Sequence, residues 1–426
     1  MSKHFSKISV VGLGYVGLPL SLQFARSGVS VLGLDLDPAK VDAINSGQSY
    51  LKHYSSESIS EQVNAGRFEA TTDPVRISEV EAILICVPTP LDEHREPDLS
   101  FVLDTAKSLA PCLSPGVLVT LESTTYPGTT EDELRQVLED GSGMKAGVDF
   151  HLAYSPERED PGREDASVKT IPKVVGGFTP NCGNLAQTLY GQALDNIHRV
   201  SSCRAAEATK LLENIFRSVN IALVNELKVV YEAMGIDVHE VISAAATKPF
   251  GFMPFRPGPG LGGHCIPIDP FYLTWKAREF GKHTRFIELA GEINTAMPDY
   301  VVAKVVDVLN DQGKAVNGSK ILILGLAYKA NVDDCRESPS FVLMENLVSK
   351  GARVEYNDSY VPVIPETREH AHLSGKQSVL IEDKYDLILL STDHTEYRRF
   401  DFSNFNCPIV DTRDCIIQRP AKYFQA

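Results

Sequence analysis

The sequence predicts an α/β protein with two parallel-sheet domains, residues 1–200 and 311–426, joined by a long central helix within a helical middle region, residues 201–310. In both end regions, short apolar runs that stop at glycine or an acid alternate with helical patterns. This alternation is typical of a parallel sheet covered by helices on both faces. In the middle region, residues 202–234 contain neither proline nor glycine, and they predict one helix of roughly 30 residues, about 45 Å long.

The first predicted strand and the loop after it carry a nucleotide-binding pattern. Residues 7–12, KISVVG, predict a buried strand, and a second buried strand, residues 30–35, ends at Asp35. Between them lies G-x-G-x-x-G, whose cofactor-binding candidates are Gly12, Gly14, Tyr15, Val16 and Gly17. This order predicts a Rossmann-like NAD site, with the pyrophosphate at the helix N-terminus and the acid on the ribose. Lys40 complicates the preference for NAD over NADP, and the alternative is a plain βαβ turn.

The pattern restarts near Gly318 and predicts a second Rossmann-like domain. Its predicted strands are residues 319–329, 353–358, 386–394 and 408–414, and a helix is predicted from about Ser338 to Lys350. The second half repeats the first at the level of strands and helices. Its first loop, however, lacks the Gly-x-Gly spacing, so the cofactor is expected at the first domain.

Composition and charge exclude several classes of partner. A chain of 426 residues is too long for one core. Its 41 basic and 56 acidic residues give a net charge of −15, which argues against nucleic-acid or anionic-membrane partners. No apolar run approaches the roughly 18 residues that span a bilayer. The N-terminus runs into a strand without a signal-peptide pattern, so a cytoplasmic location is expected.

One of the eight cysteines lies in an unusual loop, GPGLGGHCIPIDP, residues 258–270. A structural cysteine usually lies in an apolar regular element, whereas Cys265 is surrounded by glycines and prolines that we expect to leave its thiol accessible. A thiolate adds readily to an aldehyde carbon. An accessible thiol together with an NAD site predicts oxidation of an aldehyde through a thiohemiacetal and a thioester. The cysteines have no zinc-site spacing; His264 and Cys265 are adjacent, and adjacent side chains in a loop rarely chelate one metal ion.

Three other segments carry candidate polar side chains. Glu157, in YSPER, ends a predicted strand and is either a general acid/base or an ion-pair partner of Arg158. The segment LESTTYPGTT, residues 121–130, follows a strand and is either functional or a cap and a turn. Lys210 and Asn214 are four residues apart on the predicted long helix and therefore share a face, which is either functional or a solvated surface.

Eight ordered motifs together resemble the UDP-glucose/GDP-mannose dehydrogenase superfamily over essentially the whole chain. They are GLGYVGLPL at 12–20, PTPL at 88–91, ESTTYPGTT at 122–130, SPE at 155–157, AEATKLLEN at 206–214, GLGGHCIPIDP at 260–270, GLAYKANVDDCRESP at 325–339 and DTR at 411–413. The resemblance implies an N-terminal NAD-binding domain, a C-terminal UDP-sugar-binding domain, and an active site between the two α/β halves against the central helix.

The resemblance also implies roles for individual residues. The NAD site would include Asp35, Lys40, Thr89, Thr124 and Arg336 beside the glycine loop. Cys265 would be the nucleophile, and Lys210 and Asn214 would stabilise the oxyanion. Glu157 and Asp269 would transfer protons or activate water, and Thr124 would belong to the same catalytic group. The substrate would contact Glu157, Arg158, Lys210, Asn214, Arg256, Gly262 and Lys329.

The cysteine loop departs from the UDP-glucose branch of the superfamily. His264 precedes the cysteine, and Ile268 stands where that branch has a lysine before the aspartate. The loop resembles the branch that acts on UDP-N-acetylhexosamines, and within it UDP-N-acetylglucosamine 6-dehydrogenases more than UDP-N-acetylmannosamine dehydrogenases. This implies that a carbon-6 alcohol is oxidised to a carboxylate with two NAD molecules per sugar.

The predicted assembly is a homodimer or higher homo-oligomer formed through the central helix. The alternatives for function are a UDP-N-acetylmannosamine or UDP-glucose 6-dehydrogenase, a two-electron hydroxy-acid dehydrogenase with a similar domain plan, and a catalytically silent NAD-binding regulator. The ratio of NADH to substrate separates the hydroxy-acid reaction from the four-electron one.

Overall fold

The computed structural model describes residues 3–51, 54–92, 96–158, 168–263, 266–367 and 369–426. The predicted nucleophile Cys265 and its neighbour His264 lie outside the described residues. The chain divides into two compact units, of which the first comprises residues 1–213 and 271–283 and the second residues 214–270 and 284–426.

The first unit contains an eight-stranded sheet with the strand order β3-β2-β1-β4-β5-β6-β7-β8. The strands are Lys7–Val11 (β1), Ser30–Leu34 (β2), Phe68–Thr71 (β3), Ala82–Ile85 (β4), Leu118–Leu121 (β5), His151–Tyr154 (β6), Lys173–Gly177 (β7) and Ile197–Arg199 (β8). Neighbours are parallel except β6 and β7, which are antiparallel. A parallel pair needs a crossover, usually a helix, and the described parts of the β6–β7 connection, residues 155–158 and 168–172, contain no helix.

Helices cover both faces of this sheet, as the sequence predicts. They are Gly17–Arg26 (α1), Pro38–Asn45 (α2), Ser56–Asn64 (α3), Ser100–Leu109 (α4), Arg135–Ser142 (α5) and Pro180–Tyr190 (α6), with short turns of 3₁₀ or π helix at Pro74–Glu79, Ala110–Cys112 and Thr130–Leu134. Successive residues of one strand enter different cores: Val10 packs in the cluster that contains Leu18, and Val11 in the cluster that contains Leu109. This alternation is expected of a strand buried on both faces.

Four helices follow: Cys203–Ala233 (α7), Val238–Ala245 (α8), Asp269–Glu279 (α9) and Arg285–Asp311 (α10). Helix α7 has 31 residues and confirms the predicted long helix. Both α7 and α9 begin in the residues of one unit and end in those of the other. Among the described residues, no helix is both long and apolar enough to cross a lipid bilayer.

The second unit contains a five-stranded, fully parallel sheet with the order β10-β9-β11-β12-β13. Its strands are Lys320–Leu324 (β9), Arg353–Asn357 (β10), Leu387–Leu390 (β11), Ile409–Asp411 (β12) and Tyr423–Gln425 (β13); its remaining helices are Pro339–Ser349 (α11) and Thr395–Arg399 (α12), with a 3₁₀ turn at Ala371–Leu373. Two parallel-sheet domains and a long central helix confirm the predicted fold class.

Candidate active site

The three glycines after β1 are required for different reasons. Gly12 has a φ of +90°, and a Cβ there would lie 2.8 Å from the Cys86 carbonyl oxygen. A Cβ on Gly17 would lie 1.8 Å from the Gly12 carbonyl oxygen. A Cβ on Gly14, in contrast, would meet nothing within 4 Å among the described residues. Protein packing does not explain Gly14, but the close approach of a pyrophosphate to the N-terminus of α1 does. The loop therefore fits NAD.

Asp35 lies directly after β2 and is held by the glycine loop. Its Oδ2 accepts a hydrogen bond from the Leu13 N–H at 2.8 Å and forms an ion pair with Lys40 Nζ at 3.3 Å. Its Oδ1 accepts the Asp37 N–H at 3.0 Å. A carboxylate oxygen has a second lone pair, so Oδ1 can also accept a ribose hydroxyl. Lys40 neutralises part of the charge that would repel a 2′-phosphate.

A hydrogen bond between Thr89 and Thr124 joins the segments that follow β4 and β5. The Thr89 hydroxyl donates to the Thr124 carbonyl oxygen at 2.8 Å. The Tyr272 hydroxyl on α9 donates to the Thr89 carbonyl oxygen at 2.7 Å. Thr89 is buried and Thr124 half-buried. The structure therefore brings together the two threonines predicted to line the nicotinamide side.

The structure also brings Glu157 and Lys210 together. Lys210 Nζ donates to the Glu157 carbonyl oxygen at 2.5 Å, and Lys210 is only 7% exposed. An ammonium group has three N–H donors, and from the described residues this contact takes one of them, so the others can serve an oxyanion. The Glu157 carboxylate accepts the Arg158 N–H at 2.7 Å.

The guanidinium of Arg158, a predicted substrate contact, lies among protein partners. It forms an ion pair with Glu213 at 2.6 Å and donates to the Pro172 carbonyl oxygen at 2.5 Å. These contacts join the turn after β6 to α7 and to the residue before β7. Arg158 therefore helps to fix the segment that carries Glu157.

A buried cluster that the sequence analysis did not single out lies beside Glu157. Lys173, the first residue of β7, places its Nζ 2.5 Å from Glu122 Oε2 and 3.8 Å from Glu157 Oε2. The Tyr190 hydroxyl donates to the other oxygen of Glu122. Burial alone would lower the pKa of Lys173, but the carboxylates of Glu122 and Glu157 raise it above its ordinary value. Lys173 is therefore a buried cation.

Glu207 ties α7 to the LESTTYPGTT segment. Its carboxylate accepts the Gly128 N–H at 2.7 Å, the Thr130 N–H at 2.9 Å and the Thr130 hydroxyl at 2.7 Å. Glu207 is completely buried, and burial raises its pKa to about 7. It lies three residues before Lys210, so this contact also fixes the helix that presents Lys210.

In the second unit, Asn214 on α7 contacts Asp269, the first residue of α9. The Asn214 amide nitrogen donates to Asp269 Oδ2 at 2.5 Å, and the Asn214 amide oxygen accepts from the Arg217 guanidinium. Asn214 and Asp269 are 1% and 2% exposed. A carboxylate at a helix N-terminus is stabilised by the helix dipole. The chain thus holds two of its predicted catalytic residues in direct contact.

The buried face of α7 carries polar as well as apolar residues. Its buried polar residues recur every three or four positions, apart from one double interval, and are Glu207, Lys210, Asn214, Ser218, Asn225 and Lys228. A surface helix normally buries an apolar stripe. Of the two interpretations of Lys210 and Asn214 that the sequence left open, the solvated surface does not fit, because both side chains are buried.

The glycines before Cys265 serve packing within the second unit. A Cβ on Gly262 would lie 2.7 Å from Tyr328 Cβ, and one on Gly263 would lie 2.8 Å from Tyr328 Cε2. A Cβ on Gly258 would lie 2.1 Å from a guanidinium nitrogen of Arg413. From the sequence, we expect these glycines to leave the thiol accessible. The structure supplies a second reason, because they let the loop lie directly against the GLAYK and DTR motifs.

The remaining predicted residues also lie in the second unit. Lys329 is half-buried and follows Tyr328, whose N–H donates to the Asp334 carbonyl oxygen at 3.0 Å. The Arg336 guanidinium contacts the Asp334 carboxylate at 2.6 Å. Arg256 is exposed, and its guanidinium lies 3.3 Å from the Ser243 hydroxyl.

Models of one protein family match three successive parts of the chain. The NAD binding domain of the UDP-glucose/GDP-mannose dehydrogenase family matches residues 6–194, its central domain residues 204–296, and its UDP binding domain residues 322–418. Together these matches cover most of the sequence.

Individual relatives are named for different sugars. The chain is 36% identical to a UDP-N-acetyl-D-glucosamine 6-dehydrogenase of Pseudomonas aeruginosa, over 93% of each chain. It is 35% identical to an NDP-N-acetyl-D-galactosaminuronic acid dehydrogenase of Ralstonia solanacearum, over 96% of each chain. The solved structure of a UDP-D-ManNAc dehydrogenase from Pyrococcus horikoshii matches with a TM-score of 0.90 at 32% identity, over 98% of each chain.

Proposed function

This chain belongs to the UDP-glucose/GDP-mannose dehydrogenase family, and we propose that it oxidises the carbon-6 alcohol of UDP-N-acetylglucosamine to a carboxylate. It is an NAD-dependent nucleotide-sugar 6-dehydrogenase. We propose the identity of the sugar and the residue that carries out each step of its oxidation.

The observation that carries the choice of sugar is the loop at residues 258–270. Its residue before Asp269 is Ile268, which is 9% exposed, whereas the UDP-glucose branch has a lysine there. A buried apolar side chain at this position supports a site different from that of the UDP-glucose branch. The relative named as a UDP-N-acetyl-D-glucosamine 6-dehydrogenase, which aligns over 93% of this chain, supports the same choice.

The chain's residues divide the chemistry between them. Bound NAD supplies the hydride acceptor for each of two oxidations. Lys210, with N–H donors beyond its contact to the Glu157 carbonyl oxygen, stabilises the oxyanion at carbon 6. Cys265 adds to the aldehyde to give a thiohemiacetal, and the second oxidation converts this into a thioester. Water activated near Asp269 or Glu157 hydrolyses the thioester, which releases the carboxylate and restores the thiol. Asn214 orients Asp269 through the 2.5 Å hydrogen bond.

The test is the number of NADH molecules released per sugar from UDP-glucose, UDP-galactose, UDP-N-acetylglucosamine and UDP-N-acetylmannosamine. Two NADH, with the highest kcat/KM for UDP-N-acetylglucosamine, is the expected result. A preference for the mannosamine epimer or for UDP-glucose would overturn the choice of sugar but retain the mechanism. One NADH with a released aldehyde would contradict the role of Cys265, and Cys265→Ser should stop the second oxidation.

We also propose that the protein is a homodimer or higher homo-oligomer formed through α7. Exposed apolar side chains recur along this helix at Leu212, Phe216, Leu223 and Val230, which are 45–66% exposed in the single chain. Their spacing of four and seven residues places them on one stripe. A second copy of the same helix would cover this stripe with the same kind of side chain. Light scattering should give a multiple of 46.7 kDa; a monomer would contradict the proposal.

A further inference from the structure

Three buried residues form a charge cluster behind Glu157 that no catalytic step above uses. Glu122 directly follows β5, Lys173 begins β7 and Tyr190 ends α6. Glu122 is 1% exposed, Lys173 6% and Tyr190 0%. Burying an ion pair is costly, and apolar side chains of similar volume are often as stabilising. The cluster therefore suggests a role beyond stability.

Lys173 connects this cluster to the turn that carries Glu157. Its Nζ donates to the Pro156 carbonyl oxygen at 3.1 Å and lies 3.8 Å from Glu157 Oε2. The next carbonyl oxygen, that of Glu157, accepts from Lys210 at 2.5 Å. Two lysines therefore hold two successive carbonyl groups of one turn, and the first of them also faces the carboxylate.

We propose that Lys173 is a positioning residue for Glu157: its ammonium, itself held by Glu122 and Tyr190, fixes the turn at residues 156–157 and the orientation of the Glu157 carboxylate. Loss of this cation would remove the ammonium group that lies 3.8 Å from Glu157 Oε2 and the donor to the Pro156 carbonyl oxygen. The same change would loosen the carbonyl group next to the one that Lys210 binds. The inference rests on the proposed function because the effect is expressed through catalysis.

Several charged or titratable groups lie on the elements around the turn that carries Glu157. They are Lys173 and Glu122 from β7 and the end of β5, Lys210 and Glu213 from α7, Arg158 on the same turn, Tyr190 from α6 and Cys86 at the end of β4. Among the described residues, Lys173 is a buried cation whose Nζ lies 3.8 Å from Glu157 Oε2.

The experiment compares Lys173→Met and Lys173→Arg with the wild-type enzyme, using the best sugar found above. We expect Lys173→Met to lower kcat by roughly 100-fold, because a small misplacement of a catalytic group has that effect. We expect the KM for NAD to be unchanged, because Lys173 lies on β7, away from the glycine loop that follows β1. Lys173→Arg keeps the charge and should recover at least tenfold of the lost kcat.

The matched control is a second buried carboxylate paired with a cation in the same unit. Glu139 has a side chain 7% exposed and contacts Arg135 at 3.1 Å. Glu139→Gln is compared with Glu122→Gln, which removes the charge of the carboxylate that holds Lys173. Both variants should lower the melting temperature, but only Glu122→Gln should lower kcat. Equal effects of the two variants on kcat, or a Lys173→Arg variant that recovers none of the kcat lost in Lys173→Met, would overturn the proposal.

Hydrogen–deuterium exchange separates this inference from the proposed function. If the wild-type enzyme oxidises none of the four sugars, the proposed function has failed. The positioning role is then decided by the amide exchange of residues 151–158. Faster exchange there in Lys173→Met than in Glu139→Gln supports the role, and equal exchange overturns it.

Discussion

The two units share a local arrangement, an aspartate directly after a strand, but the aspartate has different contacts in each unit. In each, an aspartate after a strand accepts N–H groups from the loop that follows the neighbouring strand. Asp35 accepts the Leu13 N–H at 2.8 Å, and Asp358 accepts the Leu326 and Ala327 N–H groups at 2.7 and 2.9 Å. The difference lies in what else each carboxylate contacts.

Asp358 is completely buried, and the protein occupies both of its oxygens. Oδ1 accepts the N–H groups of Tyr360 and Val361. Oδ2 also accepts from His394 Nε2 at 3.1 Å, since His394 Nδ1 itself accepts the Asn331 N–H. Asp35 Oδ1, in contrast, accepts one N–H group, that of Asp37, from the part of the chain that the structure describes. Asp35 can therefore accept a further donor, such as the ribose hydroxyl predicted for it, whereas the lone pairs of Asp358 are taken by the protein.

The largest expected effect comes from Asp358, because protein donors occupy both of its carboxylate oxygens. Asp358→Asn places an amide N–H₂ group against backbone N–H donors, which leaves buried donors unpaired and should destabilise folding by about 3 kcal/mol or more. Asp35→Asn faces fewer donors and should cost less than about 1 kcal/mol. Urea unfolding of both variants measures this. Equal losses would show that Asp358 and Asp35 play the same structural role.

The glycines extend the comparison. Gly325 resembles Gly12, because its φ is +87° and a Cβ there would lie 2.4 Å from Thr392 Cβ. Two residues further on, the first unit has Gly14, where an added Cβ would meet nothing within 4 Å among the described residues, and the second unit has Ala327. Gly14→Ala should therefore leave the melting temperature unchanged and weaken NAD binding by about 2 kcal/mol, roughly 30-fold in Kd.

Gly325→Ala is the matched control for Gly14→Ala. It should lower the melting temperature, because the added methyl group meets Thr392 and the backbone has a positive φ. Calorimetry and NAD titration by fluorescence give both readouts. A Gly14→Ala variant that binds NAD like the wild type would remove the pyrophosphate explanation for this glycine.

The fold was largely predictable because short stretches of sequence, such as apolar runs and helical periodicity, indicate individual strands and helices. KISVVG at 7–12 became β1 at Lys7–Val11, and RVEYND at 353–358 became β10 at Arg353–Asn357. The pairs that build the site are separated by long stretches of sequence: Glu122 and Lys173 by 51 residues, and Asn214 and Asp269 by 55. No periodicity encodes such a pair. The signal that could have pointed to the first pair is an acid and a lysine at the ends of apolar strands.

The preference for NAD over NADP directly tests the role predicted for Asp35. Asp35→Asn removes the charge that repels a 2′-phosphate, and it releases Lys40, whose Nζ is 3.3 Å from Asp35 Oδ2. The ratio of kcat/KM for NADP to that for NAD should rise about tenfold, or 1.4 kcal/mol. Asp37→Asn is the control, because asparagine keeps the N-cap of α2. A ratio that changes equally in both variants would show a general charge effect.

The smallest expected effect concerns how buried carboxylates of the two units respond to pH. Burial alone would raise the pKa of Asp358, but His394 and the backbone N–H groups lower it. Its contribution to stability is therefore present above its unfolded pKa and is lost as the pH falls through the lower folded value. For Glu207, burial outweighs three hydrogen bonds and raises the pKa to about 7, so the sign is reversed.

Because folded Glu207 keeps its proton up to about pH 7 and the unfolded chain releases it near pH 4.5, its contribution to stability decreases as the pH rises through this window. From pH 6 to pH 7 the free energy of unfolding should fall by about 1 kcal/mol from this group. Glu207→Gln cannot titrate and should flatten that part of the curve, measured by urea unfolding at pH 5, 6, 7 and 8. An unchanged slope would mean that Glu207 is already ionised at pH 6, with its three donors outweighing its burial as the donors of Asp358 do.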